Sequence, residues 1–82
     1  MGAKERFSMI VASYNIRGLG GRVKRRRIRD LVREHKVDFL ALQETKLESV
    51  SEKLCHGLWG ANDCCWAFLP SVGASGGILS IW

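Results

Sequence analysis

Eighty-two residues leave room for one small domain, whose core buries little apolar surface without staples or partners. A composition of 46% apolar and 26% charged residues excludes a disordered chain, and no apolar run approaches the ~20 residues of a membrane span. The formal net charge of +5 favours polyanionic partners, and its excess sits in residues 22–36.

Residues 1–7 read as a charged N-terminal extension. No long apolar stretch follows them, so a secretory signal is not expected. Arg6 stands where a myristoylation signal needs Ser or Thr.

Residues 7–16 are predicted to form a strand, apolar on both faces at its centre and therefore covered on both sides. "YNIRGLGGR" ends it. Glycine-rich turns between a strand and a helix often hold phosphate, so this turn is a nucleotide cradle, part of another active site, or only a turn.

Residues 22–36 are predicted to be a helix. Ile28, Leu31, Val32 and His35 share one face, which makes His35 a core-edge residue. Arg22, Arg26, Arg29 and Arg33 form a second stripe, with Asp30 and Glu34 beside it and Asp30 placed to pair with an arginine one turn earlier. Basic residues in a first helical turn oppose the helix dipole. Tolerating that cost suggests a use, such as phosphate contact; the alternative is a solvated outer face. "KRRR" also resembles a nuclear import patch.

Residues 37–43, "VDFLALQ", form a second strand closed by Glu44. Strand, helix and strand make a βαβ unit with parallel strands and a right-handed crossover. Residues 49–57 are a short helix in which Val50, Leu54 and Leu58 share a face and Ser49 with Glu52 fits a capping box. Residues 64–70, the turn "SVGASGG" and "ILSIW" complete a hairpin.

Cys55, Cys64 and Cys65 make no disulfide framework and read as reduced, partly buried thiols of an intracellular protein. A zinc site from Cys55, His56, Cys64 and Cys65 lacks the usual C-x-x-C separation. Neither His35 nor His56 has an evident acidic partner, so neither is given a catalytic role.

Two patterns bear on chemistry. A dinucleotide fold would place G-x-G-x-x-G after the first strand and an acid after the second. Gly18, Gly20 and Glu44 fit, but Val23 stands at the third glycine, where it should crowd the helix against the sheet. Asn15 and Glu44 end two greasy parallel strands and should meet at one edge of the sheet. There a carboxylate suits Mg²⁺ and a carboxamide can hold a second ligand or a phosphate oxygen. Otherwise both simply exit into solvent.

"IVASYNIRGLG", "VDFLALQETK" and "GASGGILSIW", in this order and spacing, resemble the start of an endonuclease/exonuclease/phosphatase domain. The likeness is strongest to the apurinic-type endonuclease of plant LINE (non-LTR) retrotransposons. It implies an α/β fold: the N-terminal portion of a four-layered α/β sandwich, made of the βαβ unit, the short helix and the hairpin. Residues 8–82 would be a partial domain, truncated at the C-terminus. The implied activity is Mg²⁺-dependent phosphodiester hydrolysis, nicking DNA for retrotransposition in a nuclear setting. Carried over, Glu44 is the metal ligand, and Asn15 organises the metal and phosphate site with it as the catalytic pair. Some relatives have an acid where this chain has Arg17, which could instead face phosphate. The family's later Asp-x-Asn pair, catalytic tyrosine and Asp-His couple do not occur in these residues, so the chain alone is expected to be inactive. The alternatives are a non-catalytic basic remnant that binds nucleic acid through Arg17, Arg22, Arg26, Arg29 and Arg33, and a dinucleotide-binding βαβ fragment.

Overall fold

The computed structural model describes residues 8–82; the proposed extension 1–7 and the start of the first predicted strand lie outside them. The elements are β1 (Val11–Asn15), α1 (Arg22–His35), β2 (Phe39–Gln43), α2 (Glu52–Trp59), β3 (Trp66–Leu69) and β4 (Ile78–Ile81). One four-stranded sheet has the order β1-β2-β4-β3. β1 and β2 are parallel, with Val11 opposite Phe39 and Asn15 opposite Gln43. β4 runs antiparallel to both β2 and β3. An antiparallel strand beside β2 is foreign to a dinucleotide fold, whose neighbouring strands are parallel.

Strand alternation divides the sheet into two unlike faces. Leu40, Leu42, Leu79 and Ile81 point to one face and are fully buried beneath Ile28 and Val32 of α1 and Cys55 and Leu58 of α2. The two helices lie side by side on that face. The other face carries Val11, Phe39, Ile78 and Trp82, with Phe39 and Trp82 stacked at 5.7 Å. The expectation that β1 is covered on both sides is corrected: β1 is an edge strand of this sheet, and Val11 is 60% exposed. Runs apolar on both faces record two apolar surfaces, but only one is covered within these residues.

Local signals were shifted by a residue or two. α1 ends at His35, with Lys36 closing it in the left-handed conformation at φ 51. His35 is exposed in this last turn rather than at the core edge, because the helix has run past the sheet. α2 begins at Glu52, and Ser51, not Ser49, is its N-cap, with Oγ accepting from the backbone nitrogen of Leu54 at 3.0 Å. The capping box with Glu52 is therefore absent; a start at Glu52 still turns Leu54, Cys55 and Leu58 inward. Val23 is 81% exposed, so it does not crowd the helix against the sheet as expected.

Burial pushes the Cys55 thiol up from 9.0 to about 11, with Cys64 adding to the shift. Cys64 is also raised, chiefly by burial. A raised folded-state value means that the unfolded chain gives up its proton first. Stability contributed by the neutral Cys55 thiol is whole below pH 9 and lost as pH rises toward about 11. Urea titrations across this range should show that loss in wild type, and Cys55→Ala should flatten this part of the profile. Leu42→Ala, at the covered centre of the sheet, should cost about 2–5 kcal/mol in the same measurement.

Candidate functional site

Parallel strands deliver their carboxyl ends to the same edge. Asn15, last in β1, and Glu44, just after β2, meet there: Asn15 Nδ2 donates to Glu44 Oε2. Only the amide nitrogen can donate to a carboxylate, so the bond fixes the orientation of the carboxamide. Asn15 Oδ1 and Glu44 Oε1 stay available as two hard oxygen acceptors.

The backbone holds this pair by continuing the strand pairing past both strand ends. Ile16 N donates to Gln43 O at 3.1 Å, Gly18 N to Glu44 O at 2.7 Å and Leu19 N to Thr45 O at 2.9 Å. Keeping the two loops in step requires unusual backbone. Arg17 (φ 50), Gly18 (φ 102), Glu44 (φ 55) and Lys46 (φ 58) all lie in the left-handed region. Each non-glycine residue held there costs on the order of 1 kcal/mol, and such strain persists only where surrounding contacts over-determine it.

Three sets of contacts do so. Leu19 is fully buried and anchors the turn after β1. The Lys24 ammonium, on the first turn of α1, donates to the carbonyls of Ile16 at 2.6 Å, Arg17 at 3.2 Å and Gly18 at 3.0 Å. Arg25 Nε takes the next carbonyl, Leu19 O, at 2.8 Å. Behind Glu44 stands the hairpin turn: Thr45 N donates to Gly77 O at 3.1 Å and Lys46 N to Gly76 O at 2.9 Å. Thr45 is fully buried, and a Cβ on Gly77 (φ 94) would collide with its Oγ1.

The residues singled out from sequence separate spatially. Asn15 and Glu44 come together. Arg17 lies on the strained turn next to them and is exposed. Arg22, Arg26 and Arg29 line the seam between α1 and α2. Arg33 is exposed in the last turn of α1. Sequence reasoning missed Lys24, Arg25, Thr45 and Gly77. The double glycine before β4 signalled a positive φ, but nothing signalled that a helical lysine would turn back to its own loop. Of the turn glycines, Gly18 alone needs its freedom; Gly20 and Gly21 have open space and ordinary φ. The turn is a clamped support for Asn15 that depends on one glycine.

A family model described as "Endonuclease/Exonuclease/phosphatase family" matches residues 12–80, a span that includes Asn15, Glu44 and the docked hairpin. The chain belongs to this family. Among solved structures it is similar to an AP endonuclease from Archaeoglobus fulgidus, with a TM-score of 0.65 and 24% identity. That likeness establishes the fold. It covers 89% of this chain and 27% of the other, so the chain spans about a quarter of that protein's length. No curated protein matches the chain.

Lys24→Met should speed amide exchange at Gly18 and Leu19 by about fivefold, in line with ~1 kcal/mol for the lost bonds, and leave Leu42 unchanged. Hydrogen exchange read by NMR checks this. Gly77→Ala should cost about 2 kcal/mol or more through positive φ and the Thr45 collision, while Gly20→Ala is neutral or slightly stabilising.

Proposed function

We propose that these residues form one wall of a divalent-metal-dependent endonuclease site acting on DNA. Glu44 is the metal ligand, and Asn15 orients Glu44 and offers its carbonyl oxygen to metal or phosphate. The observation that carries this reading is the Asn15–Glu44 bond at the carboxyl edge of the sheet, in a chain of this family. DNA is the proposed substrate class because the Archaeoglobus neighbour is an AP endonuclease.

The donor set fits Mg²⁺ as a partial shell. Mg²⁺ commonly binds through one or two carboxylates together with water and phosphate oxygens. Glu44 is the only carboxylate of the Asn15–Glu44 pair, and the described residues hold no cluster of three His, Cys, Asp or Glu able to bind a metal. When bound, the ion would polarise the phosphoryl oxygen and offset charge on the leaving oxygen. Asn15 and the strained loops keep the Glu44 carboxylate aimed at the open edge, so little reorganisation is needed when phosphate arrives. Hydrolysis also needs a base for the attacking water, and the chain's two histidines lie elsewhere: His35 ends α1, and His56 packs edge-on to Trp66 at 5.9 Å. We therefore propose that these 82 residues hold metal and phosphate but do not cut by themselves.

The quoted motifs, with Arg17 in place of an acid, support a finer reading. The parent activity would nick DNA for retrotransposition, as in plant LINE elements, in the nucleus where that DNA lies.

Paramagnetic broadening by Mn²⁺ tests the metal role. Wild type should lose the Asn15 side-chain amide signals first, and Glu44→Gln should weaken Mn²⁺ binding by at least about tenfold, as expected when a sole charged ligand is removed. Unselective broadening would refute the site. Supercoiled plasmid incubated with Mg²⁺ should stay intact with either protein. Nicking by wild type that Glu44→Gln abolishes would overturn the inactivity while supporting the ligand.

A further inference from the structure

A second feature lies away from the strand-end edge. α1 and α2 pack with a groove of about 500 Å³ between them, lined by Arg22, Arg25, Arg26, Arg29, Ser51 and Lys53. Five of the nine residues that line it are cationic. Arg25 is committed to the turn through Leu19 O, but no hydrogen bond or ion pair among the described residues engages the side chains of Arg22, Arg26, Arg29 or Lys53. The expected pairing of Asp30 with an arginine one turn earlier is not formed among the described residues. Arg29 Nε is buried without any partner, an unusual state for a guanidinium nitrogen. α1 also starts without a side-chain cap and with no acid in its first turn, so nothing in that turn offsets this charge.

We propose that the α1–α2 groove is a binding track for a nucleic-acid phosphodiester backbone, separate from the Asn15–Glu44 edge. Arg22, Arg26 and Arg29 stand at i, i+4 and i+7 on one face. At 1.5 Å per residue they are about 6 and 4.5 Å apart along the axis, close enough to engage neighbouring phosphates of one strand. Guanidinium forks match phosphate oxygens in pairs. Lys53 on the opposite helix supplies a point charge across the groove. The contacts available are to charge and shape, so binding is independent of sequence and strongly salt-dependent.

The test uses the 82-residue chain in EDTA, so that it is blind to any metal site and its result is separable from that of the Glu44 reading. Fluorescence anisotropy with a labelled single-stranded oligonucleotide is measured over a range of salt. Arg26→Ser/Lys53→Ser removes two groove cations; Arg27→Ser/Arg33→Ser removes two exposed cations of α1 that do not line the groove. The groove variant should weaken binding about tenfold at low salt and flatten the log–log salt slope by about 1.4, the counterions of two single-strand contacts. The control pair should change affinity less than about twofold. Equal losses in the two variants would overturn the proposal, as would no binding by wild type at low salt. Polyglutamate of matched charge that binds as tightly, with the same loss in the groove variant, would overturn the assignment to phosphodiesters. Circular dichroism of both variants should match wild type.

Discussion

Everything at the candidate site depends on β1 and β2 staying in register after they end. Strand pairing normally stops when chains turn in different directions. Here the bonds from Ile16, Gly18 and Leu19 to Gln43, Glu44 and Thr45 carry the pairing through two turns. A parallel pair brings like ends together, and the extended pairing stops those ends from separating. Asn15 and Glu44 are 29 residues apart in sequence, yet they become one hydrogen-bonded unit. The cost is backbone held at positive φ on both loops, and the Lys24 clamp, the Leu19 anchor and the docked hairpin offset it.

The same economy explains why α1 is so basic. Lys24 and Arg25 are spent inward on carbonyls of the turn, as structural cations. Arg22, Arg26 and Arg29 of the α1–α2 seam are left without partners among the described residues. One short run of like charge therefore splits into two physically different groups. The division follows from helical geometry: residues 24 and 25 face the turn that precedes the helix, whereas 22, 26 and 29 face α2.

Much of the fold could be read from the residues. The apolar runs with a helical period between them implied a parallel βαβ unit, and the turn residues implied the hairpin; both are present. Asn15 and Glu44 could be placed at one edge in advance because parallel topology brings the two strand ends together; that their side chains bond rather than exit into solvent was not legible. Other features could not be read this way. The cap of α2 lay two residues away from the expected serine, since several polar residues in a row can cap and packing of Leu54 and Leu58 chooses among them. His35 fitted the apolar period but left the core, because periodicity does not say where a helix outruns its sheet. Val23 fitted a crowding argument that belongs to a different fold, and here it points to solvent.

By itself, then, the sequence determined which segments are strands and helices, which faces are apolar, and which polar residues end adjacent parallel strands. These are local or topological consequences of residue type and spacing. Tertiary structure alone decided the reach of Lys24 to three carbonyls, the seating of Gly77 against Thr45, and the gathering of cations from two helices into one groove. Those features depend on the distance and angle between elements remote in sequence, which no residue pattern encodes until the elements have packed.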